Sequence, residues 1–266
     1  MILVIDAGNT NIVFALYNRD EVLGVWRTET EPRRTADDYA VWLSQLLTLA
    51  PVACKLADIT GSIIASVVPE VVFPLSRLCR NYLHGNPLII GEPGKAEPII
   101  PTRALIDRPE ELGADRLVNA FAAHLRYRGP LLVVDFGTAT TFDVVNEAGD
   151  YCGGVIAPGI NLSLHALYEA AAKLPRVAIR QTEKVVATST IGAMQSGIFW
   201  GYVGLIEGLI GRIRKEQNRK LPVIATGGLA PLFAKATEFD AIDADLTLFG
   251  LHEIYKMNSE TLITQK

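Results

Sequence analysis

A short pattern that occurs twice constrains the fold of this chain more than any other feature. An apolar, strand-like run ends in Asp, any residue, Gly and a polar residue at Ile2–Asn9, and the same pattern returns at Leu131–Thr138. Asp6 and Asp135, the two aspartates of the pattern, are separated by close to half of the 266-residue chain. A repeat at that distance predicts two structurally similar halves instead of an array of short repeats.

The runs that follow each copy of the pattern predict the same local structure. Apolar, β-prone segments separated by turn residues follow the first copy at Ile12–Tyr17 and Val22–Thr28, and the second copy at Thr141–Val145 and Cys152–Ile156. Each half is therefore expected to open with a three-stranded meander. Further strands are predicted at 59–68, 88–90 and 222–226, a loop at 93–109, and helices at 35–51, 69–83, 110–128, 160–173, 189–217, 229–236 and 248–257.

These elements predict an α/β protein whose halves each hold a mixed sheet flanked by helices. The first half is assigned to residues 1–129 and the second to residues 130–257. Residues 258–266 are polar and are expected to form a frayed tail.

Composition excludes several classes of function. The net charge of -4 offers no basic surface for nucleic acid or anionic lipid. No apolar run approaches the ~20 residues that span a bilayer, and the first residues have neither a basic segment nor a cleavage site. Three scattered cysteines do not suit a disulfide framework or a zinc site and are expected to be reduced. We expect a cytoplasmic protein without nucleic-acid or membrane partners.

The repeated pattern also suggests phosphate binding. A carboxylate at the end of a buried strand, followed by Gly, lies beside a loop whose backbone N–H groups can approach a phosphate. Small polar residues surround each copy, and two such loops can face each other and hold a polyphosphate. The alternative is that Asp6 and Asp135 only begin hairpin turns, where Asp, Asn and Gly are common. The chain has no GxxxxGK[ST] loop and no GxGxxG run, which disfavours the P-loop and dinucleotide modes of binding.

A third glycine-containing turn lies late in the chain. Ala225–Leu229, with Gly227 and Gly228, follows a predicted strand and precedes a predicted helix. Its backbone could lie against an adenosine or hold a phosphate at the helix N-terminus. A plain strand-to-helix turn explains the same residues equally well.

Taken together, these motifs resemble a known family. Two Asp-x-Gly loops half a chain apart and a late Thr-Gly-Gly turn look like the acetate kinase, sugar kinase, Hsp70 and actin superfamily, which has a duplicated ribonuclease-H-like fold. Within it the chain closely resembles type III pantothenate kinase from Met1 to about Met257. The residues that carry this closer resemblance are Asp6–Thr10, Leu112–Arg116, Asp135–Thr141, Gly153–Gly159 and Gln195–Gly197.

The resemblance implies an enzyme that transfers the γ-phosphoryl group of ATP to pantothenate, the first step of coenzyme A synthesis. It also implies the use of Mg²⁺ and of a monovalent cation, K⁺ or NH₄⁺. The ATP-binding residues implied are Asp6, Ala7, Gly8, Asn9, Thr10, Asn11, Ile12, Val13 and Thr138. The metal ligands implied are Asp135 for the monovalent cation and Asp6 for Mg²⁺, directly or through water.

The same resemblance gives the substrate site and the oligomeric state. Pantothenate-binding residues implied by the family are Gly113, Ala114, Asp115, Arg116 and Thr190, with Asp115 as the proton acceptor. Without the flanking motifs, an acid followed by a base near a helix start reads as a solvated helix cap. Ile106 stands where many members have an aromatic residue, so one substrate contact differs. The family forms homodimers.

The long predicted helix with Ile191, Met194, Ile198, Phe199, Tyr202, Leu205 and Ile206 is more apolar than one side of the fold requires, and is the expected interface. Two other functions remain open at this point. One is a nucleotide-switched binding protein like actin or Hsp70. The other is a regulatory accessory factor that keeps the same fold.

Overall fold

The computed structural model describes residues 1–49, 54–91, 98–170 and 175–264, and side chains as far as residue 259. The chain divides into two compact units. The first comprises Met1–Arg126 together with Leu246–Lys266, and the second comprises Tyr127–Asp245. No helix among the described residues has the length and apolar character needed to cross a membrane.

The described part of the first unit contains a five-stranded sheet and four α-helices. Its elements are β1 (Ile2–Ala7), β2 (Asn11–Asn18), β3 (Glu21–Glu29), α1 (Ala36–Leu49), β4 (Gly61–Ser66), α2 (Pro69–Tyr82), β5 (Leu88–Ile90), α3 (Ala114–Tyr127) and α7 (Leu246–Thr264). The strand order is β3-β2-β1-β4-β5. β1 pairs antiparallel with β2 and parallel with β4, and β4 pairs parallel with β5.

The central strand β1 is apolar from Ile2 to Ile5 because both of its faces are covered. Leu3 and Ile5 belong to a core that also contains residues of α1 and α2. Val4, which points to the opposite face, packs in a second core with Val118 of α3 and Leu251 of α7. Since successive side chains of a strand alternate between faces, a strand with helices on both sides needs a continuous apolar run.

The second unit repeats this sheet. Its elements are β6 (Leu131–Phe136), β7 (Ala139–Val145), β8 (Tyr151–Pro158), α4 (Ile160–Ala170), α5 (Thr190–Glu216), β9 (Val223–Thr226), α6 (Ala230–Phe233) and β10 (Ala241–Ile242). The order is β10-β9-β6-β7-β8, so β6 to β10 occupy the positions that β1 to β5 hold in the first unit. β6 pairs antiparallel with β7 and parallel with β9, as β1 does with β2 and β4. The predicted duplication is therefore confirmed.

Three predictions about helices differ from the structure. Residues 246–257, assigned to the second half, belong to α7, which packs on the first unit. The expected polar tail is helical as far as Thr264, and Asn258 is buried because its carboxamide bonds the backbone N–H and C=O of Ile99. Helix α3 begins at Ala114 and not at residue 110, because Pro109–Glu111 forms a separate 3-10 turn.

Predicted elements that touch residues 50–53, 92–97, 171–174 or 265–266 lie partly outside the described residues. These are the end of the helix predicted at 35–51, the start of the loop at 93–109 and the end of the helix at 160–173. The short strand β10 was not predicted, since two residues carry too little periodicity.

Candidate functional site

The first Asp-x-Gly pattern forms the end of β1, a tight turn and the start of β2. Asp6 is half-buried beside Val13 on β2 and Ala65 on β4. Asn9, Thr10 and Asn11 are exposed, whereas Ala7 and Ile12 are buried in the core. Within the segment Asp6–Val13, contact with a ligand therefore falls mainly to the turn.

The second pattern has the same form in the second unit. Asp135 is the half-buried, penultimate residue of β6, with Thr141 opposite on β7 and Thr226 beside it on β9. Gly137 and Thr138 are exposed in the turn. The hydroxyls of Thr140 and Thr141 are used within the unit, the first with the Tyr202 hydroxyl and the second as a donor to Asp143.

The Thr-Gly-Gly turn lies directly against Asp135. Gly227 has a φ of +88°, and a Cβ there would lie 2.5 Å from Asp135 Oδ1 and 2.7 Å from the backbone N and O of Phe136. Only glycine fits this conformation and this space. Glycine at 227 therefore lets the turn pack closely against the Asp135 carboxylate and the Phe136 backbone.

The predicted substrate segment lies at the start of α3. Gly113 accepts hydrogen bonds from the N–H groups of Arg116 and Leu117, and Asp115 is the second residue of the helix. Asp115 Oδ1 accepts the Arg116 N–H at 2.8 Å and folds over Gly113, where a Cβ would lie 2.6 Å from that oxygen. Glycine at 113 thus makes room for the carboxylate.

The fold brings this segment to the same sheet edge as the first turn. The Gly113 Cβ position is 3.9 Å from Val67 Cγ1, and the Val67 N–H bonds the carbonyl of Ala7 at 3.1 Å. Asp115 is therefore linked through Val67 to the residue that follows Asp6. Arg116 and Ile106 are half-buried.

Partial burial distinguishes Asp115 from a solvated helix cap, since its side chain is half-buried whereas such a cap is exposed. Desolvation raises the pKa of its carboxyl above the usual range, although the Arg116 N–H and charge act in the opposite direction. Asp38, in the first turn of α1, is an exposed cap that exchanges hydrogen bonds with Thr35. Those bonds lower the pKa of Asp38. Asp38 and Asp115 both lie in the first turn of a helix, but the pKa of Asp38 is lowered and that of Asp115 is raised.

Helix α5 places Thr190 and the expected interface. Thr190 is the first residue of the helix and is exposed, and the preceding Ser189 caps it by accepting the Gly192 N–H. Most of the apolar side chains of this helix pack inside their own unit. Those that are buried are Met194, Phe199, Tyr202 and Ile206, and Ile198 and Leu205 pack against that core. Of the seven apolar residues named for this helix, Ile191 alone is largely exposed. Apolar content therefore does not mark an interface on this helix.

A stripe of glycines, which the predictions did not include, lies on the exposed face of α5. Gly197, Gly201, Gly204, Gly208 and Gly211 recur at spacings of four and three residues, which places them on one side of the helix. A Cβ at any of them would meet no atom of the described part of the chain within 4 Å. The spacing itself was the signal that could have revealed the stripe.

Two matched sheets, each with an aspartate near the end of its central strand and a glycine turn beyond it, show the duplicated ribonuclease-H-like fold that sugar kinases and actin-like ATPases share. A solved structure of a 2-dehydro-3-deoxygalactonokinase protein from Sinorhizobium meliloti has this fold, with a TM-score of 0.58, 16% identity and coverage of 97% of this chain and 96% of that chain. A structure described as a Baf family transcriptional activator from Campylobacter jejuni gives a TM-score of 0.59 at 20% identity, covering 97% and 99% of the two chains.

Sequence comparison defines the family. The profile of type III pantothenate kinase matches residues 2–212. The type III pantothenate kinase of Paramagnetospirillum magneticum is 60% identical over 97% of this chain and 98% of its own length, and that of Rhodospirillum rubrum is 57% identical over 97% and 99%. The chain belongs to the type III pantothenate kinase family. The family resemblance inferred from the motifs is thereby confirmed.

Proposed function

We infer that this chain transfers the γ-phosphoryl group of ATP to the primary hydroxyl of pantothenate, which gives 4'-phosphopantothenate in the first step of coenzyme A synthesis. The observation that carries this inference is the likeness to curated type III pantothenate kinases over 97% of the chain. The duplicated sheet with Asp6 and Asp135 at equivalent positions supports the use of ATP.

We assign the ATP phosphates to the segment Asp6–Val13 and to Thr138. In the first segment the exposed turn supplies backbone and side-chain donors beside Asp6, and in the second unit Thr138 lies in the equivalent turn. Asp6 is the residue suited to Mg²⁺, because hard cations take carboxylate oxygens. When bound, Mg²⁺ neutralises charge on the polyphosphate.

We assign a monovalent cation, K⁺ or NH₄⁺, to Asp135. The Asp135 carboxylate at the end of β6 fits such an ion, because hard cations take carboxylate oxygens. The role of Asp135 would be to hold positive charge near the nucleotide, where an uncompensated carboxylate would repel the phosphates.

We assign pantothenate to Gly113–Arg116 and Thr190, with Asp115 as the general base. Asp115 Oδ1 is occupied by the Arg116 N–H, so Oδ2 is the atom that would receive the proton of the substrate hydroxyl. Phosphoryl transfer has a loose transition state in most analyses, so a correctly placed carboxylate suffices. The Arg116 guanidinium can pair with the substrate carboxylate.

We propose that the enzyme is a homodimer formed through the glycine stripe of α5. A glycine inside a helix costs ~1 kcal/mol relative to alanine, and none of the described residues occupies the space above these five. Small residues let two helices approach closely, so a second copy of α5 can use that space. Beside the stripe, Val185, Val186 and Trp200 line a groove of about 540 Å³, which adds apolar surface to the same face.

We place the enzyme in the cytoplasm, with pantothenate and a second copy of the chain as its partners and neither nucleic acid nor membrane. The net charge of -4 and the free thiols of Cys54, Cys79 and Cys152 support this placement.

The direct test is ATP consumption by the purified chain in a coupled assay, with and without pantothenate. Consumption that depends on pantothenate supports the proposed reaction. Turnover of ATP that ignores pantothenate would indicate a nucleotide-switched binding protein. An absence of turnover in the presence of Mg²⁺ and K⁺ would indicate a regulatory protein that keeps the fold.

A further inference from the structure

Thr30, a residue outside the predicted site, is hydrogen-bonded to the turn between β1 and β2, which we call the first phosphate turn. Thr30, which directly follows β3, donates its hydroxyl to the Gly8 carbonyl at 2.6 Å and its backbone N–H to the Thr10 carbonyl at 3.0 Å. The Gly8 N–H bonds the carbonyl of Asn11 at 3.0 Å and closes the turn. Thr30 therefore bonds the carbonyls of the residues on both sides of Asn9.

The equivalent position in the second unit achieves a similar restraint in another way. Gly159 directly follows β8, and its N–H bonds the Thr138 carbonyl at 3.1 Å. A Cβ at Gly159 would overlap the Thr138 carbonyl oxygen, so contact between backbones holds that turn. Gly159 has no hydroxyl, so it cannot make the side-chain hydrogen bond that Thr30 makes to the Gly8 carbonyl.

The hydroxyl fixes the orientation of one peptide group in the turn. The Gly8 carbonyl and the Asn9 N–H belong to the same peptide unit, and in a trans peptide they point in opposite directions. No cis peptide occurs among the described residues. When Thr30 holds the carbonyl on its own side, the Asn9 N–H must face away from Thr30.

We propose that Thr30 is a positioning residue for ATP, which orients the Asn9 N–H of the phosphate turn without touching the nucleotide. This inference rests on the proposed binding of ATP by Asp6–Val13. If the turn also samples other orientations, the dissociation constant for ATP rises in inverse proportion to the fraction of time that the turn spends in the binding-competent orientation. Loss of one hydrogen bond of ordinary strength changes such a fraction by about three- to tenfold.

The test compares Thr30→Val with Thr30→Ser. Valine keeps the shape and removes the donor, whereas serine keeps the donor. We expect Thr30→Val to raise KM for ATP about three- to tenfold and to leave KM for pantothenate within twofold of the wild type. Thr30→Ser should restore KM for ATP to within twofold. A role limited to stability would not separate the two substrates.

Thr60→Val is the matched control. The Thr60 hydroxyl also donates to a backbone carbonyl, that of Met1 at 3.2 Å, but it lies at the opposite end of β1. This variant should leave both KM values unchanged. If Thr60→Val raises KM for ATP as much as Thr30→Val does, the proposal is wrong.

The dissociation constant of a fluorescent ATP analogue tests the role of Thr30 separately from the proposed kinase reaction. If the wild-type chain shows no turnover with pantothenate, the proposed reaction fails, but the ratio of dissociation constants between Thr30→Val and the wild type still tests Thr30. Thr30→Ala serves the same purpose if the valine variant does not fold. The role of the hydroxyl is overturned if the dissociation constant of Thr30→Val is less than twice that of the wild type. It is also overturned if Thr30→Ser binds the analogue as weakly as Thr30→Val does.

Discussion

Replacing Asp115 by asparagine tests the chemistry and the electrostatics of the site together. Asparagine keeps the side-chain shape and can still accept the Arg116 N–H at 2.8 Å, but it cannot take a proton from the substrate. General-base catalysis contributes about 10²–10⁴ in rate, or roughly 3–5 kcal/mol. We expect kcat to fall by that factor, with the dissociation constant of ATP nearly unchanged.

The pH dependence of the wild-type enzyme follows from the burial of Asp115. Because desolvation raises the pKa of its carboxyl, the base becomes active only as pH rises above the ordinary titration range of aspartate. The acidic limb of kcat against pH should therefore lie above the usual carboxyl pKa. The residual activity of Asp115→Asn should lack that limb.

The stability of the same variant should change in the opposite direction to its activity. A carboxyl whose pKa is raised on folding favours the folded state below its unfolded pKa, and this contribution is lost as pH rises through the folded pKa. At neutral pH the buried carboxylate is thus destabilising, so Asp115→Asn should raise Tm. Thermal unfolding at neutral and acidic pH measures this, and the gain should vanish in acid.

Asp38→Asn is the internal control. Its hydrogen bonds from Thr35 lower the pKa of Asp38, so its contribution to stability is present at neutral pH and is lost as pH falls through the folded pKa. This variant should lower Tm and leave kcat unchanged. A kcat for Asp115→Asn within a few-fold of the wild type, with a Tm that falls as in Asp38→Asn, would refute the catalytic role and make Asp115 a helix cap.

Three other perturbations test the remaining assignments. Asp6→Asn should weaken binding of ATP with Mg²⁺ and lower kcat together, and unchanged kinetics would remove Asp6 from the site. Activity should be lost in sodium buffer free of K⁺ and NH₄⁺ and return on adding K⁺, whereas full activity in sodium would count against a cation at Asp135. Gly204→Leu adds a good helix former where a Cβ meets nothing, so the single chain should be no less stable, yet sedimentation should show a monomer. A dimer that tolerates leucine at 204 would move the interface away from the glycine stripe.

The sequence predicted the central strands well because their pattern is local. β1 and β6 are covered on both faces, so their residues are almost all apolar, and each run ends at an aspartate and a glycine that mark the turn. The two turns were predicted for the same reason, whereas the assignment of Gly113–Arg116 to pantothenate came from the family resemblance and stays a prediction. Thr30 could not be predicted, because its role depends on β3 returning its end to the turn after β1.

Other features depended on packing between distant parts of the chain. The sequence assigned α7 to the half that precedes it, but Leu251 and Ile254 fit the core beneath β1 and β4. Apolar residues of α5 suggested an interface, yet most of them fill the core of their own unit. Periodicity identifies a buried face and does not say which partner buries it.

The place of α7 in the first unit also bears on how the protein forms during synthesis on the ribosome. All of Tyr127–Asp245 is synthesised between α3 and α7, so the second unit is complete while the first still lacks Leu248, Leu251 and Ile254 from one of its cores. Until α7 emerges, the face of the first sheet that carries Val4 and Ile63 stays partly open to water. The first unit is therefore expected to finish folding after the second. Until then, the apolar face of its sheet is the surface that a chaperone would bind.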